Sequence, residues 1–327
     1  MIYYSPLTND FYCAMICAYG KKEVFMRYVY LLLYALLGCS VPVINKNYQK
    51  KAPKGTVSLW VYLLINSVMG LLFYYLPIRG KMVFTPMMFV YSVVFSLASV
   101  LCLTVPIWGY SVQNIAVVMV FRNAGGIVVT AVFGVFFFHE RVSLLFFLSI
   151  LFVLIAIALP LFSVSGVKRG FKAFLPCFCI FFVDSFVCLT LKYYQMDASL
   201  PEITNMYFWT NAVMFAALWI FLPIYLAGHK EEAVLPILKQ YKPKLILSVV
   251  LYTVVSVSES LFLAFLIKLF DREFTLVTVV NFSLNMLGTL LVARFVFKEK
   301  LSLQNILAAF FVCLSLVFST LHSALGL

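Results

Sequence analysis

Charge is what this sequence has least of. Only 11% of its 327 residues are Asp, Glu, Lys or Arg, 64% are hydrophobic, and the mean hydropathy is +1.05. A soluble domain keeps about 25% charged residues to cover its surface, so a water-soluble globule is excluded. Histidine is rarer still: the three (His139, His229, His322) fall at span ends or in loops. HExxH, CxxC, GxSxG and P-loop patterns are all missing. An intramembrane protease needs paired aspartates or a Ser/His set in facing spans, and Asp184 has no such second aspartate. The chain is therefore read as no enzyme, with no catalytic residue, metal set or cofactor. A cleavable signal peptide is also missing, because Phe11–Tyr19 is short and Lys21 and Lys22 follow it instead of preceding it. Residues 1–23 are read as an N-terminal segment, with Met26 an alternative initiator.

The long apolar runs do not alternate with period 2, which excludes a membrane β-barrel. Helices are the remaining way to satisfy the backbone in lipid. The net charge of +12 does not point to nucleic acid, because Lys and Arg sit in short loops between apolar runs and form no contiguous basic face. The eight cysteines lie mostly inside apolar runs, and Cys177 and Cys179 direct their thiols to nearly opposite sides of a helix, a poor metal clamp. They read as small apolar residues. The sequon Asn281-Phe-Ser283 falls inside an apolar run, where it cannot be glycosylated.

Since a span takes about 20 apolar residues, ten can be drawn. The first half holds Val24–Ile44, Val57–Ile78, Pro86–Ile107, Asn114–Phe138 and Val142–Val164. The second holds Ala173–Tyr194, Ile203–Ala227, Lys244–Lys268, Phe274–Phe297 and Leu301–Ala324. A basic loop with Lys46, Lys50, Lys51 and Lys54 follows the first span, a neutral turn at Trp108–Gln113 the third, and SGVKRGFK (165–172) marks the midpoint.

One stretch recurs. Phe136–Leu144 reads FFFHERVSL and Phe295–Leu303 reads FVFKEKLSL, an offset of 159 positions. The echo extends through Thr130/Thr289, Leu148/Leu307, Phe152/Phe311 and Val153/Val312. Such a repeat implies one supersecondary block used twice. Five spans per block is an odd number, so the halves (24–164 and 173–327) must be inverted relative to one another, with binding expected near the midplane between them. Glu140 and Glu299 fall at the corners just before Ser143 and Ser302, where carboxylates suit a helix N-terminus, and they read as structural corner residues.

Three ionisable residues lie deep in apolar runs: Arg122, Asp184 and Glu259. Each costs roughly 2.5–3.5 kcal/mol to insert and is expected to face the bundle interior. They line either a substrate cavity or form a buried ion pair joining the halves. Asn281 and Asn285 share one helix face, and at the repeat offset Asn281 matches Arg122 and Asn285 matches Gly126. Asn123, beside Arg122, joins this candidate substrate-binding set. Asn66, Asn205 and Asn211, and Asn123 itself, also suit interhelical hydrogen bonds of about 0.6–2 kcal/mol. Gly126, Thr130 and Gly134 form a small-residue stripe suited to a close helix contact.

The paired corners, F-x-F-[HK]-E-[RK]-[VL]-S-L, with ten spans, resemble the EamA-like branch of the drug/metabolite transporter superfamily over about residues 26–322. The resemblance implies two inverted five-helix repeats, a central cavity, alternating access and metabolite export across the cell membrane. It also implies cytoplasmic termini, whereas the loops hold nine Lys and Arg on the N-terminal side and thirteen on the other, which by charge alone puts the termini outside. The expected partners are the bilayer, a small-molecule solute and a coupling proton. A nucleotide-sugar or sugar-phosphate antiporter and a non-transporting scaffold are the competing readings. The former shares the superfamily fold, and Lys46 in INKN is similar to its basic first-helix ends.

Overall fold

The computed structural model describes residues 6–53, 56–78, 80–113, 115–137, 143–161, 171–228, 241–269, 274–298 and 303–324. Among them the chain is helical throughout. The elements are α1 Pro6–Lys51, α2 Thr56–Ile78, α3 Pro86–Val112, α4 Ile115–Phe137 and α5 Leu144–Leu161. They continue with α6 Phe171–Met196, α7 Ile203–Gly228, α8 Pro243–Leu269, α9 Phe274–Phe295 and α10 Leu303–Ala324. Among the described residues, six segments are long and apolar enough to cross a membrane: Val29–Lys51, Val57–Ile78, Pro86–Val112, Phe171–Met196, Ile203–Tyr225 and Pro243–Leu266. The described residues are thus all-helical, with the length and composition of a multi-pass membrane protein.

Its outer surface agrees with that. Leu36, Leu72, Leu97, Phe182, Ile220, Leu247 and Leu291 are all exposed. In water so much apolar surface invites aggregation; in lipid it is the required solvent-facing side. Polar residues are turned inward instead, with Ser67, Ser92, Ser149 and Ser315 fully buried.

Local signals set the helix ends. Thr85 caps α3 by accepting from the Met88 amide at 3.3 Å, with Pro86 pre-set at the first helical position. Ser143 caps α5 in the same way, accepting from the Phe146 amide at 3.2 Å. Between α6 and α7, the Ser199 hydroxyl and amide both donate to Asp197 Oδ1, at 2.6 and 3.0 Å, and hold that exposed carboxyl below its ordinary pKa.

Three boundaries differ from the sequence expectation, the first being that α1 begins at Pro6 instead of Val24. The segment Asn45–Lys51, expected as a basic loop, continues α1. It stays helical because it remains packed on protein: Tyr62 donates to Asn45 Oδ1 at 2.9 Å, and the Lys46 and Lys50 ammonium groups lie 4.8 and 5.0 Å from the Phe297 ring centroid. The neutral turn expected from Trp108 is mostly the last turn of α3, and only Gln113 leaves it, its amide donating to Gly109 O at 2.8 Å. That stretch carries no proline after Pro106, and its one glycine, Gly109, is buried inside the helix against Val118. The corner residues Glu140 and Glu299 lie outside the described residues.

Helix pairing follows a pattern. α4 packs on α6 and α9 on α1; α3 packs on α6 and α8 on α1; α3 packs on α7 and α8 on α2. Each of these contacts has its counterpart five helices later. The pairs α2·α7, α4·α9 and α5·α10 are their own counterparts. At the α5·α10 seam, Phe152 stacks on Phe311 with centroids 5.8 Å apart, and Ser149 and Ser315 share a 2.9 Å hydrogen bond.

Candidate functional site

α2, α3, α4, α6, α7 and α8 enclose a cavity of about 160 Å³. Its wall is polar for a helix bundle: Asn66, Ser99, Cys102, Arg122, Asp184, Thr210, Asn211, Thr253, Ser256 and Ser260 all reach it. Tyr74, Phe95, Tyr207 and Tyr252 supply the aromatic surface.

At one side Arg122 of α4 donates through Nε to Asp184 Oδ1 of α6 at 3.1 Å. The Asp184 side chain is 7% exposed and Arg122 is 22% exposed, so the carboxylate is sealed while the guanidinium still opens on the cavity. Cys102 of α3 sits against the same carboxylate oxygen, 4.0 Å away. Asp184 can be this close because α4 and α6 meet at Gly125, where a Cβ would collide with the Phe181 carbonyl oxygen and come within 2.8 Å of Ser185 Oγ.

Glu259 lies on α8 between the lining residues Val257 and Ser260 but, like Asn123, Asn281 and Asn285, is not itself among the residues that line the cavity. Of the three ionisable residues expected deep in the bundle, the structure brings Arg122 and Asp184 together on the cavity wall and leaves Glu259 off it.

The amides divide. Asn66 accepts from Thr253 Oγ1 at 3.0 Å, and Asn211 Nδ2 donates to Tyr207 O at 2.8 Å while its side chain occupies the space above Gly70. The Asn66 bond is interhelical as expected, whereas that of Asn211 stays within its own helix; both side chains also line the cavity. Asn205 is a loop clamp, accepting from the Val83 amide at 3.1 Å.

Asn281 and Asn285 share a face, as their spacing required, but they are absent from the cavity wall. Asn285 Nδ2 donates to Asn281 Oδ1 at 3.3 Å, and the Cys39 thiol of α1 donates to Asn285 Oδ1 at 3.6 Å. A Cβ at Gly38 would come within 2.5 Å of the same amide. The pair therefore forms the α1–α9 seam, the counterpart of the α4–α6 seam that holds Arg122. Asn123 is buried away from the cavity, and its Nδ2 has no hydrogen-bond partner among the described residues.

Sequence reasoning missed the tyrosines and the Ser/Thr face of α8. The latter had a legible signal: Thr253, Ser256 and Ser260 recur at i, i+3 and i+7, one stripe of a helix.

No protein-family model matches this chain, and none of the curated proteins does. Solved structures do resemble it. One protein of known crystal structure superposes with a TM-score of 0.56 at 12% identity, covering 88% of this chain and 98% of its own. At that identity the likeness is one of fold.

Proposed function

We propose that this chain is a secondary transporter of a small polar or amphoteric metabolite, working by alternating access. The observation that carries this reading is the central cavity, polar and ionic inside a helix bundle whose outer surface is apolar. Holding charges away from water costs several kcal/mol per ion, a cost that a passive scaffold has no reason to bear around open space.

The proposed scaffold is ten spans in two inverted five-helix repeats, of the EamA-like kind, with its termini in the cytoplasm and the cell membrane as its site. The pairing pattern supports the duplication. So does Phe152 stacking on Phe311, its equivalent at the repeat offset, because only residues beside a two-fold axis touch their own counterparts. Rocking of one repeat against the other then exposes the cavity alternately to each side.

In this scheme the Arg122 guanidinium meets a polar or anionic group of the solute. Asp184 orients Arg122, and Glu259 meets an amine or carries the coupling proton. The Asn281–Asn285 pair holds the α1–α9 seam and is no longer needed as a ligand. The nucleotide-sugar reading is weaker: Arg122 is the one cation among the described lining residues, and 160 Å³ is small against the roughly 300–1,000 Å³ of pockets for drug-sized ligands. The test is counterflow in proteoliposomes with a panel of small metabolites. Solute flux that collapses in Arg122→Ala and Glu259→Gln supports the reading; no flux of any solute, or flux unchanged by both substitutions, sinks it.

A further inference from the structure

The charges on the cavity wall cancel. Arg122 and Asp184 are the one cation and the one anion among its described lining residues, and they pair at 3.1 Å. Asp184 is sealed, with 7% of its side chain exposed, so an ammonium group entering the space finds no open carboxylate. It meets instead the partly open Arg122, whose charge repels it. A zwitterion fails at its ammonium end for the same reason. An entering anion finds a guanidinium that Asp184 already balances, and it leaves the wall with an uncompensated negative charge.

The neutral groups of the wall have a direction of their own. Thr253 directs its single hydroxyl hydrogen to Asn66 Oδ1 or Val249 O, both at 3.0 Å, and Ser260 directs its own to Ser256 O at 2.9 Å. Asn211 Nδ2 donates to Tyr207 O at 2.8 Å. Each of these bonds uses a donor and leaves an oxygen (Thr253 Oγ1, Ser260 Oγ, Asn211 Oδ1) with lone pairs to offer. An occupant therefore needs donors but no charge, and an acceptor-only carboxylate suits these oxygens worst. Thr210 adds the sharpest sign: it lines the cavity at 3% exposure, and its hydroxyl has no partner among the described residues. Leaving a buried hydroxyl unpaired is costly, and a hydroxyl of the occupant would pair it. Tyr74 and Tyr207, with centroids 5.1 Å apart, and Phe95, 5.7 Å from Tyr207, border the same space and offer apolar faces to a carbon skeleton. With about 30 Å³ of liquid volume per water, the space holds about five waters, which limits the cargo to a compact molecule.

We propose that the cargo is a compact uncharged polyol, of roughly three or four carbons by the volume of the space. Its hydroxyls pair with Thr210 and donate to the oxygens of Thr253, Ser260 and Asn211. Its carbon skeleton lies against the Tyr74, Tyr207 and Phe95 rings, and the Arg122–Asp184 pair remains closed beside it. This rests on the transport reading and narrows it: the group that Arg122 meets is polar and not anionic. With no amine in the cargo, Glu259 keeps only the role of proton carrier.

The test uses the full-length protein at fixed pH, with erythritol, alanine, lactate and choline as probes. Equilibrium dialysis in detergent reports binding, and counterflow in proteoliposomes reports transport, with protein-free vesicles giving the leak. The expected result is erythritol bound and exchanged in preference to the three charged probes. Its binding should be about three- to tenfold weaker in Thr210→Val, the worth of one hydrogen bond, and restored in Thr210→Ser. Because the Thr210 hydroxyl has no partner among the described residues, Thr210→Val should unfold no earlier than the wild type, which separates a lost ligand contact from a lost fold. Alanine, lactate or choline exchanged in preference to erythritol overturns the uncharged assignment while leaving the transporter reading intact. Erythritol bound with the expected Thr210 dependence, but with no flux of any solute, supports the site and overturns transport. Erythritol left unbound, or bound equally by wild type and Thr210→Val, overturns the polyol proposal.

Discussion

Removing one partner of the Arg122–Asp184 pair is the sharpest perturbation available. At an effective dielectric near 20, unit charges about 3–4 Å apart attract by roughly 4–5 kcal/mol. Arg122 keeps some access to the cavity, with 22% of its side chain exposed, so part of that attraction is screened. Breaking a buried pair costs about 3–5 kcal/mol because the survivor stays charged and unpaired; with the screening, Asp184→Asn is expected to lose about 3 kcal/mol. At roughly 2 °C per kcal/mol for a chain of this size, that is a fall of about 6 °C. Arg122→Gln is expected to cost at least as much, since it strands a carboxylate that is 7% exposed. The double variant removes both charges and keeps two amide-sized groups, so it should cost about 1 kcal/mol by the logic of replacing a whole pair. The buried thiols of Cys39 and Cys177 offer the assay, as a thiol-reactive fluorophore reaches them only on unfolding. A cycle in which the two single losses simply add, or in which Asp184→Asn moves the midpoint by less than about 1 °C, would refute the pairing as a stabilising contact.

Other outcomes follow from single contacts. Gly125→Ala places a methyl against the Phe181 carbonyl and Ser185 Oγ, so α4 and α6 must part; a loss of about 1–3 kcal/mol is expected by thermal unfolding. Asn285→Ala removes the amide that Cys39 meets across the α1–α9 seam. It should lower the unfolding midpoint by a few degrees while leaving the counterflow KM unchanged, and a raised KM at full stability would return Asn285 to the site. Tyr241→Phe deletes a hydroxyl bonded at 2.7 Å to both Tyr48 and Ser58, a loss of about 0.5–1.5 kcal/mol that faster proteolysis near residue 241 would register. Asp197 has a lowered pKa in the folded state, so its contribution to stability is complete above the ordinary aspartate range and is lost as pH falls through the lowered value. Ser199→Ala should move the Asp197 titration upward in carbon NMR, and an unmoved titration would refute the Ser199 contacts as its cause.

The sequence disclosed much of this molecule because charge in an apolar run has few innocent explanations. Arg122, Asp184 and Glu259 were legible for that reason, and the structure pairs the first two on the cavity wall. Direction was the harder part. Asn281 and Asn285 had the correct spacing, but nothing in their own helix says whether that face meets a cavity or a neighbour; the answer lies in Gly38 and Cys39, far away in the chain. The tyrosines were hidden for another reason. With 19 in the chain and tyrosine equally at home in a span, at an interface or in a core, the type alone does not mark Tyr74 or Tyr207 as cavity residues. The long α1 was missed because Lys46 and Lys50 look like loop charges until Phe297 is seen beneath them.

The repeated corner and the cavity also answer different questions. In the scaffold the helix pairs recur five elements on, and Phe152 meets Phe311, which stands at the sequence offset from it. The chemistry breaks that repetition. Arg122 has Asn281 at its offset, so the α4–α6 seam holds an ion pair where the α9–α1 seam holds a neutral amide network. A neutral seam can slide or part without stranding a charge, whereas the ionic one resists separation by the several kcal/mol that an unpaired buried charge costs. If the two halves rock, the α1–α9 contact is therefore the one expected to open and the α4–α6 contact the one to stay closed. Cross-linking cysteines introduced on α1 and α9 should then arrest counterflow, while an equivalent link between α4 and α6 should leave it running; the reverse result would assign the moving seam to the ion pair.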